Sequence, residues 1–289
     1  MKILIFLSRW PGGVGVVINS IKKELENKGH KVVCISREED LKIYSSVKKL
    51  RNLRKNYIYY TKKEKPDIIY TQDWSMALPL LFPYPLFSDK HFCCFHGNQL
   101  GKAKIIQKII GELMRGKLIV VGDSLREKFL KSNLVYNGVD LEKFKPLNKK
   151  RVYLGWINKS TETLTKSEIF NLGKKLNLIP LIAENFNIPF DKMNKEFYNK
   201  CKVFISLPPV TAGFNLCWVE AMAAGVPIII GNEEGIGRKI EITKFKSKKE
   251  LFQNINKLDK KDYRKQIEKS YLTWKSHVDN LIKIWSLNN

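Results

Sequence analysis

The chain has no apolar run long enough to cross a bilayer. Its longest candidate, Met76 to Phe87, is interrupted by Pro79, Pro83 and Pro85, which excludes a transmembrane helix there. The start does not read as a secretory signal. Lys2-Ile3-Leu4-Ile5-Phe6-Leu7-Ser8 is followed by Arg9 and Trp10 where a signal peptidase needs small residues, so a first β-strand is expected. Cysteine is sparse: Cys34, Cys93, Cys94, Cys201 and Cys217 form no CxxC pair, and the four histidines complete no zinc spacing. Neither a disulfide scaffold nor a metal is expected; buried thiols in a reducing cytoplasm are. Acidic residues are outnumbered, 28 against 52 lysines and arginines, for a net charge of +24. Such a field favours anionic partners, whether nucleotides, acidic lipid surfaces or nucleic acid, without choosing among them.

What is present describes a globular α/β protein. With 289 residues, 44% of them hydrophobic, the chain has room for two domains with real cores. Strand and helix signals alternate throughout, which argues parallel sheets. Strands are expected at Ile3–Ser8, Lys31–Ser36, Asp67–Thr71, His91–Phe95 and Lys117–Val121, with a helix over Val16–Lys28. A polar, proline-bearing stretch at Lys145–Lys150 marks the boundary. A second cycle follows: strand Val152–Leu154, helix Ser167–Leu176, strand Ile179–Ala183 and helix Phe190–Cys201. The tail from Asp262 to Trp285 reads as one long amphipathic helix. Three segments result: 1–147 and 148–261, each Rossmann-like, and 262–289.

The densest local signal lies in Gly213 to Pro227. The apolar run Lys202–Pro208 leads into a glycine turn, then a helix carrying a single carboxylate, Glu220, stops at Gly225 before the run Val226–Ile230. This is a βαβ unit, whose parallel strands open a ligand crevice at their carboxyl ends. A buried glutamate there needs a hydrogen-bonding partner, and a hydroxyl-rich ligand such as a ribose would supply one; backbone donors are the alternative. Gly12, Gly13 and Gly15 lie between the first strand and its helix, where backbone N–H groups approach a phosphate or simply make a turn.

Several stretches, in order, resemble the GT-B glycosyltransferases, in particular the retaining glycosyltransferase family 4. They are Gly12-Gly13-Val14-Gly15, Val121 to Arg126 (the family's SxxLR helix start), Tyr136 to Pro146 (NGVDxxxFxP), Gly213 to Pro227 (GFxLxxxEAMAxGxP) and Tyr271-Leu272-Thr273-Trp274 (FSW). The resemblance covers essentially the whole chain. It implies two Rossmann-like domains facing across a cleft, the first on the acceptor side and the second binding a nucleotide-diphosphate sugar, with the last helix returning to the first domain. It implies a metal-independent, cofactor-free, cytoplasmic enzyme that moves a sugar with retention to a glycan or lipid acceptor. Glu220 matches the second glutamate of the family's Glu-x7-Glu motif, holding ribose hydroxyls, while Gly213, Phe214, Asn215 and Leu216 offer backbone to the donor. His96, ending its strand before Gly97, faces the reacting sugar in the family; a loop histidine without chemistry is the alternative. Asp73 is a candidate lining residue on the acceptor side, or an ordinary strand-end aspartate.

The pattern is interrupted in the donor half. Ala212 stands where the family has its first glutamate, and Trp156 follows Gly155 where an arginine would neutralise the diphosphate. Lys159 or Lys166 would serve as the lysine, with Arg238 as a further phosphate partner, and the stretch from Leu154 to Ser206 is short for the family. Loss of such a clamp removes a large electrostatic term from transfer. Two alternatives therefore stand beside the enzyme: a non-catalytic nucleotide-sugar-binding or partner subunit, and a transferase acting on nucleic acid. Finally, Lys48, Lys49, Arg51, Arg54 and Lys55 are interleaved with Val47, Leu50, Leu53 and Tyr57 at helical spacing. That pattern suits either an anionic membrane surface, with peripheral attachment at the inner face, or a core-packed helix with a solvated lysine face.

Overall fold

In the computed structural model of the chain, the described residues are 1–7, 13–36, 47–158, 162–184, 187–207, 214–231, 240, 243–245, 247–254 and 262–287. They form two compact units, Met1–Tyr136 with Trp274–Asn289, and Asn137–Thr273.

The first unit runs β1 (Lys2–Leu7), α1 (Gly13–Asn27), β2 (Lys31–Ser36), α2 (Val47–Glu64), β3 (Ile68–Gln72), α3 (Trp74–Leu81), β4 (His91–Phe95), α4 (Gly101–Leu113), β5 (Leu118–Val120), α5 (Asp123–Lys128) and β6 (Asn133–Leu134). All neighbouring strands are parallel, in the order β2-β1-β3-β4-β5-β6. The central strands β1, β3 and β4 are continuously apolar or nearly so because helices cover both faces of a parallel sheet. On α1, Val17, Ile18, Ile21 and Leu25 are buried along one stripe, and Gly29, at φ 79°, takes the left-handed turn that ends it. Leu53 and Tyr57 of α2 pack with Leu4, Phe6, Ile69, Met76 and Leu80, and Tyr57 stacks on Phe6 with ring centroids 3.8 Å apart.

The second unit runs β7 (Tyr153–Asn158), α6 (Lys166–Leu176), β8 (Ile179–Glu184), α7 (Met193–Glu196), a 3-10 turn at Tyr198–Lys200, β9 (Cys201–Ser206), α8 (Leu216–Ala223), β10 (Ile228–Gly231), β11 (Thr243–Phe245), α9 (Lys248–Asn254) and α10 (Tyr263–Lys269). Its strands are also all parallel, in the order β11-β10-β9-β7-β8. Trp156, Leu154, Val203, Ile205, Ile229, Ile169, Leu172 and Leu251 form its core. Thr165 and Glu168 close a reciprocal capping box at the start of α6. The last helix, α11 (Trp274–Leu287), belongs to the first unit, where it packs on α1 and inserts Trp285 against Tyr70 and Phe92.

Both sheets place the second strand outside the first and then reverse direction. The order therefore switches between β1 and β3 in one unit and between β7 and β9 in the other, and in open parallel sheets such switch points open a crevice at the strand ends.

Four local expectations differ from what is found. Strand β7 continues to Asn158, so Trp156 is a buried mid-strand core residue and not a residue past the strand's end. The stretch 137–147, expected in the first domain, belongs to the second unit: Phe144 packs on Tyr198 and Phe190, while Asn199 accepts from Leu147 N–H and donates to the Lys145 carbonyl. The tail is two helices, because Tyr271 turns left-handed (φ 55°) and Thr273 bridges to Val139. Arg264 of α10 donates to the carbonyls of Leu141, Phe144 and Ala223, which holds α10 in the second unit. The helix expected over 190–201 is a short α7 followed by the 3-10 turn.

Candidate functional site

In the second unit the candidate groups lie on and around helix α8, which follows the carboxyl end of β9. The helix stops at Ala224–Gly225, where Gly225 adopts φ 68°. Its interior is almost wholly buried because its sequence is apolar on every side except at Glu220. That carboxylate is buried, and Oε2 accepts the Tyr198 hydroxyl at 2.7 Å. Tyr198 is itself enclosed by Phe144, Phe197 and Phe204. Burial first, and the Glu220 charge second, push its phenol well above the ordinary range, so it is always a donor. Asn215 caps α8 without a side-chain cap bond, and its Nδ2 is buried with no hydrogen-bond partner among the described residues. Phe214 is buried and Leu216 half-buried at the same turn.

At the switch point between β7 and β9 stands a residue the sequence did not single out, Glu162. It accepts the Ser206 hydroxyl at 2.5 Å and Leu207 N–H at 2.8 Å, while Thr163 Oγ1 donates to the Leu207 carbonyl at 2.6 Å. Lys166, expected near a diphosphate, is exposed and pairs with Glu184 at 2.5 Å. Lys159, Arg238, Ala212 and Gly213 lie outside the described residues.

In the first unit, Gln72 ends β3, Asp73 caps α3, and His96 follows β4; parallel register brings the three to one end of the sheet. His96 Nε2 lies 2.8 Å from Gln72 Oε1. A carbonyl oxygen only accepts, so Nε2 carries the proton and Nδ1 keeps its lone pair. Burial, then the nearby His277, lowers His96 to about 4, which leaves it neutral and able to take a proton or a hydroxyl hydrogen bond at Nδ1. His277 comes from α11. Its Nδ1 donates to the Tyr136 carbonyl at 2.8 Å, its Nε2 is buried with no hydrogen-bond partner, and burial lowers it to about 4. Asp73 sits at φ 73°, ψ 159°, with Oδ1 accepting Trp74 N–H at 2.8 Å. Burial raises its carboxyl to about 6 against that single backbone donor. Asp123 accepts the Tyr136 hydroxyl at 2.6 Å at the start of α5.

Of the glycine loop, Gly13 opens α1 with open space beyond its Cα, Gly15 is buried two residues on, and Gly12 lies outside the described residues. The basic helix α2 has its apolar face spent on the core, through Leu53 and Tyr57. Lys48, Arg51 and Lys55 are exposed; the Lys49 side chain lies outside the described residues. Arg54 is committed elsewhere: it donates to the carbonyls of Pro79, Phe82 and Tyr84 and stacks over the Tyr84 ring at 4.8 Å. Of the two alternatives for α2, its contacts are those of a core-packed helix with a solvated basic face.

Gln72, Tyr198, Glu162 and His277 were not among the expected residues. Only Gln72 and His277 left a trace, as polar residues among buried apolar neighbours. Among the described residues no group of three metal-ligating side chains forms, and no helix is long and apolar enough to cross a membrane.

No protein-family model matches the chain, and no curated protein matches it in sequence. Solved structures match along its whole length. Sucrose-phosphate synthase from Thermosynechococcus elongatus superposes with a TM-score of 0.72 at 12% identity, covering 99% of both chains. A glycosyltransferase from Rickettsia africae superposes at 0.71 with 17% identity, over 99% of this chain and 98% of that one. HepE of Anabaena, solved in complex with UDP, gives 0.64 at 13% identity over 99% and 100%. At these identities the likeness defines the fold, which is the GT-B type with its two parallel α/β sheets.

Proposed function

We propose that the protein is a retaining glycosyltransferase related to family 4. It transfers a sugar from a nucleoside-diphosphate sugar to a hydroxyl of a glycan or lipid, without a metal. In that reaction the bond from the anomeric carbon to the diphosphate oxygen breaks and one to the acceptor oxygen forms on the same face. The acceptor proton passes to the departing diphosphate. The observation that carries the reading is a buried carboxylate, Glu220, on the helix that leaves the carboxyl end of a parallel strand, with the buried Nδ2 of Asn215 at that helix's start unpartnered among the described residues. A ribose, whose hydroxyls both donate and accept, is complementary to those two groups. Gly13, Gly15, His96 and Asp73 line the corresponding end of the first unit, and His96 supplies a neutral hydrogen-bonding nitrogen for a sugar hydroxyl. HepE of Anabaena, solved with UDP and with UDP-glucose, supports a nucleotide-sugar substrate.

A second reading rests on Glu162. Its carboxylate occupies the β7–β9 switch point and already takes the Ser206 hydroxyl and the Leu207 N–H, groups that would otherwise face a diphosphate. Under this reading the chain binds a nucleotide sugar without turning it over, as a partner subunit. A panel of UDP-, GDP- and TDP-sugars incubated with the protein and EDTA, with glycan and lipid acceptors and read by NMR, separates the two. Transfer with retained anomeric configuration supports the enzyme; binding of a donor with no product across the panel supports the second reading.

A further inference from the structure

The exposed face of α4 is divided into two stripes. Ile105, Ile109 and Leu113 repeat at i, i+4 and i+8 and are 64%, 46% and 50% exposed. Lys104 and Lys108 repeat beside them, and both are exposed. The opposite side of the helix is buried through Gln107, Ile110 and Gly111, where α4 packs on α3 and Gly111 lies against the Phe129 ring. Leu100, just before the helix, is 69% exposed, and Leu130, next to Phe129, is 75% exposed. Glu112, the acidic residue of the helix, is neutralised by Arg115. Isolated exposed leucines need no explanation, but a stripe of three β-branched and branched aliphatics flanked by lysines does.

We propose that this face of α4 docks on an anionic lipid surface, with the isoleucines and Leu113 at the acyl boundary and Lys104 and Lys108 at the headgroups. Charge complementarity selects the occupant: with a net charge of +24, a second copy of the chain would be repelled from a face that carries lysines. Nucleic acid wants aromatic rings on which bases stack, and this stripe is aliphatic throughout. A protein partner wants a broad patch of about 800 Å² per side, whereas the stripe from Ile105 to Leu113 is one residue wide and about 12 Å long. A deformable interface accepts such a ridge. The face differs from α2, whose Leu53, Tyr57 and Tyr60 pack in the core. It also has a bearing on the sheet end described above, because Gln107 of α4 accepts Gln99 N–H and donates to the Gly97 carbonyl, fixing the segment that follows His96. The inference stands whether or not a sugar is transferred.

Flotation of the full chain with vesicles of phosphatidylcholine alone, and of phosphatidylcholine mixed with phosphatidylglycerol, tests it. Binding is expected to the anionic vesicles only. Ile105→Ser with Ile109→Ser, and separately Lys104→Ala with Lys108→Ala, should each weaken partitioning about tenfold or more. Lys55→Ala with Lys62→Ala, the same loss of charge on α2, should weaken it less than about threefold. Circular dichroism confirms that each surface variant is folded. Equal losses in the α2 and α4 lysine variants would reduce the effect to net charge and overturn the assignment, as would unchanged binding of the isoleucine variant. Absence of vesicle binding would also overturn it. A wild-type dimer in light scattering that Ile105→Ser with Ile109→Ser makes monomeric would instead assign the face to a second copy.

Discussion

The Tyr198 hydroxyl donates to Glu220 Oε2 at 2.7 Å inside an aromatic enclosure, so the carboxylate most suggestive of a ligand already has a protein partner. Tyr198 secures one oxygen and orients the carboxylate. Glu220→Gln should weaken UDP binding about tenfold, the scale of a hydrogen bond to a charged group. Tyr198→Phe should cost about 1–3 kcal/mol of stability and affect UDP affinity less. Calorimetry of the two folded variants decides the matter, and unchanged UDP affinity in Glu220→Gln would sink the ribose assignment.

Acid should unfold this protein early. Burial lowers His91 to about 3 and both His96 and His277 to about 4, below the ordinary histidine value of 6.5. A depressed pKa contributes stability that is present above 6.5 and lost as pH falls through the folded value. Each such histidine contributes a slope of about 1.4 kcal/mol per pH unit, or about 4 for the three together. Asp73 acts oppositely, since its raised pKa gives stability that is present below 3.8 and lost as pH rises through about 6. Against a total of about 5–15 kcal/mol, the net slope should remove a large share of the stability by about pH 4. Urea titrations between pH 7 and pH 4 check this; Asp73→Asn should steepen the loss and His277→Gln should flatten it. A stability that stays level over that range would contradict the burial of these histidines.

Asp73 occupies a backbone region that side chains rarely adopt, φ 73° and ψ 159°. Asp73→Gly and Asp73→Ala both delete the carboxylate and its cap bond, so their difference isolates the backbone conformation. Glycine should be the more stable by about 2 kcal/mol. Equal melting temperatures for the two would show that the position carries no strain.

Gly155 lies on β7 where any Cβ would meet the Cys201 thiol. Burial already pushes that thiol up to about 12, so it is an inert packing group. Gly155→Ala should destabilise by about 1–3 kcal/mol through overpacking, and Gly155→Ala with Cys201→Ala should recover most of it. Denaturant midpoints of the two variants are the measurement; no recovery in the double variant would place the clash elsewhere.

The strands and most of the helices were legible in the sequence because side-chain periodicity is local. The apolar strand Ile3 to Leu7 and the stripe Ile18, Ile21, Leu25 each announce their element without reference to the rest of the chain. Glu220 was legible for the same reason, as a lone charge on an apolar helix. Boundaries were less so. Trp156 looked like a residue past a strand end, because nothing in the sequence says that pairing with Ile205 and Ile182 carries β7 on to Asn158.

The α2 and α4 helices show what remained to be decided. Both alternate lysines with aliphatic or aromatic residues at helical spacing, and by pattern α2 is the more obvious surface binder. Tertiary contact reversed that order: Phe6 and Met76 take up Tyr57 of α2, whereas no core contact covers Ile105 and Ile109 of α4. The same holds for the partners of Glu220 and His96, since Tyr198 and His277 reach them only once the chain has folded. Local sequence determines which face of an element is apolar. Which apolar face is buried, and which polar atom meets another, depends on contacts between residues far apart in the chain, and so only the folded structure decides them.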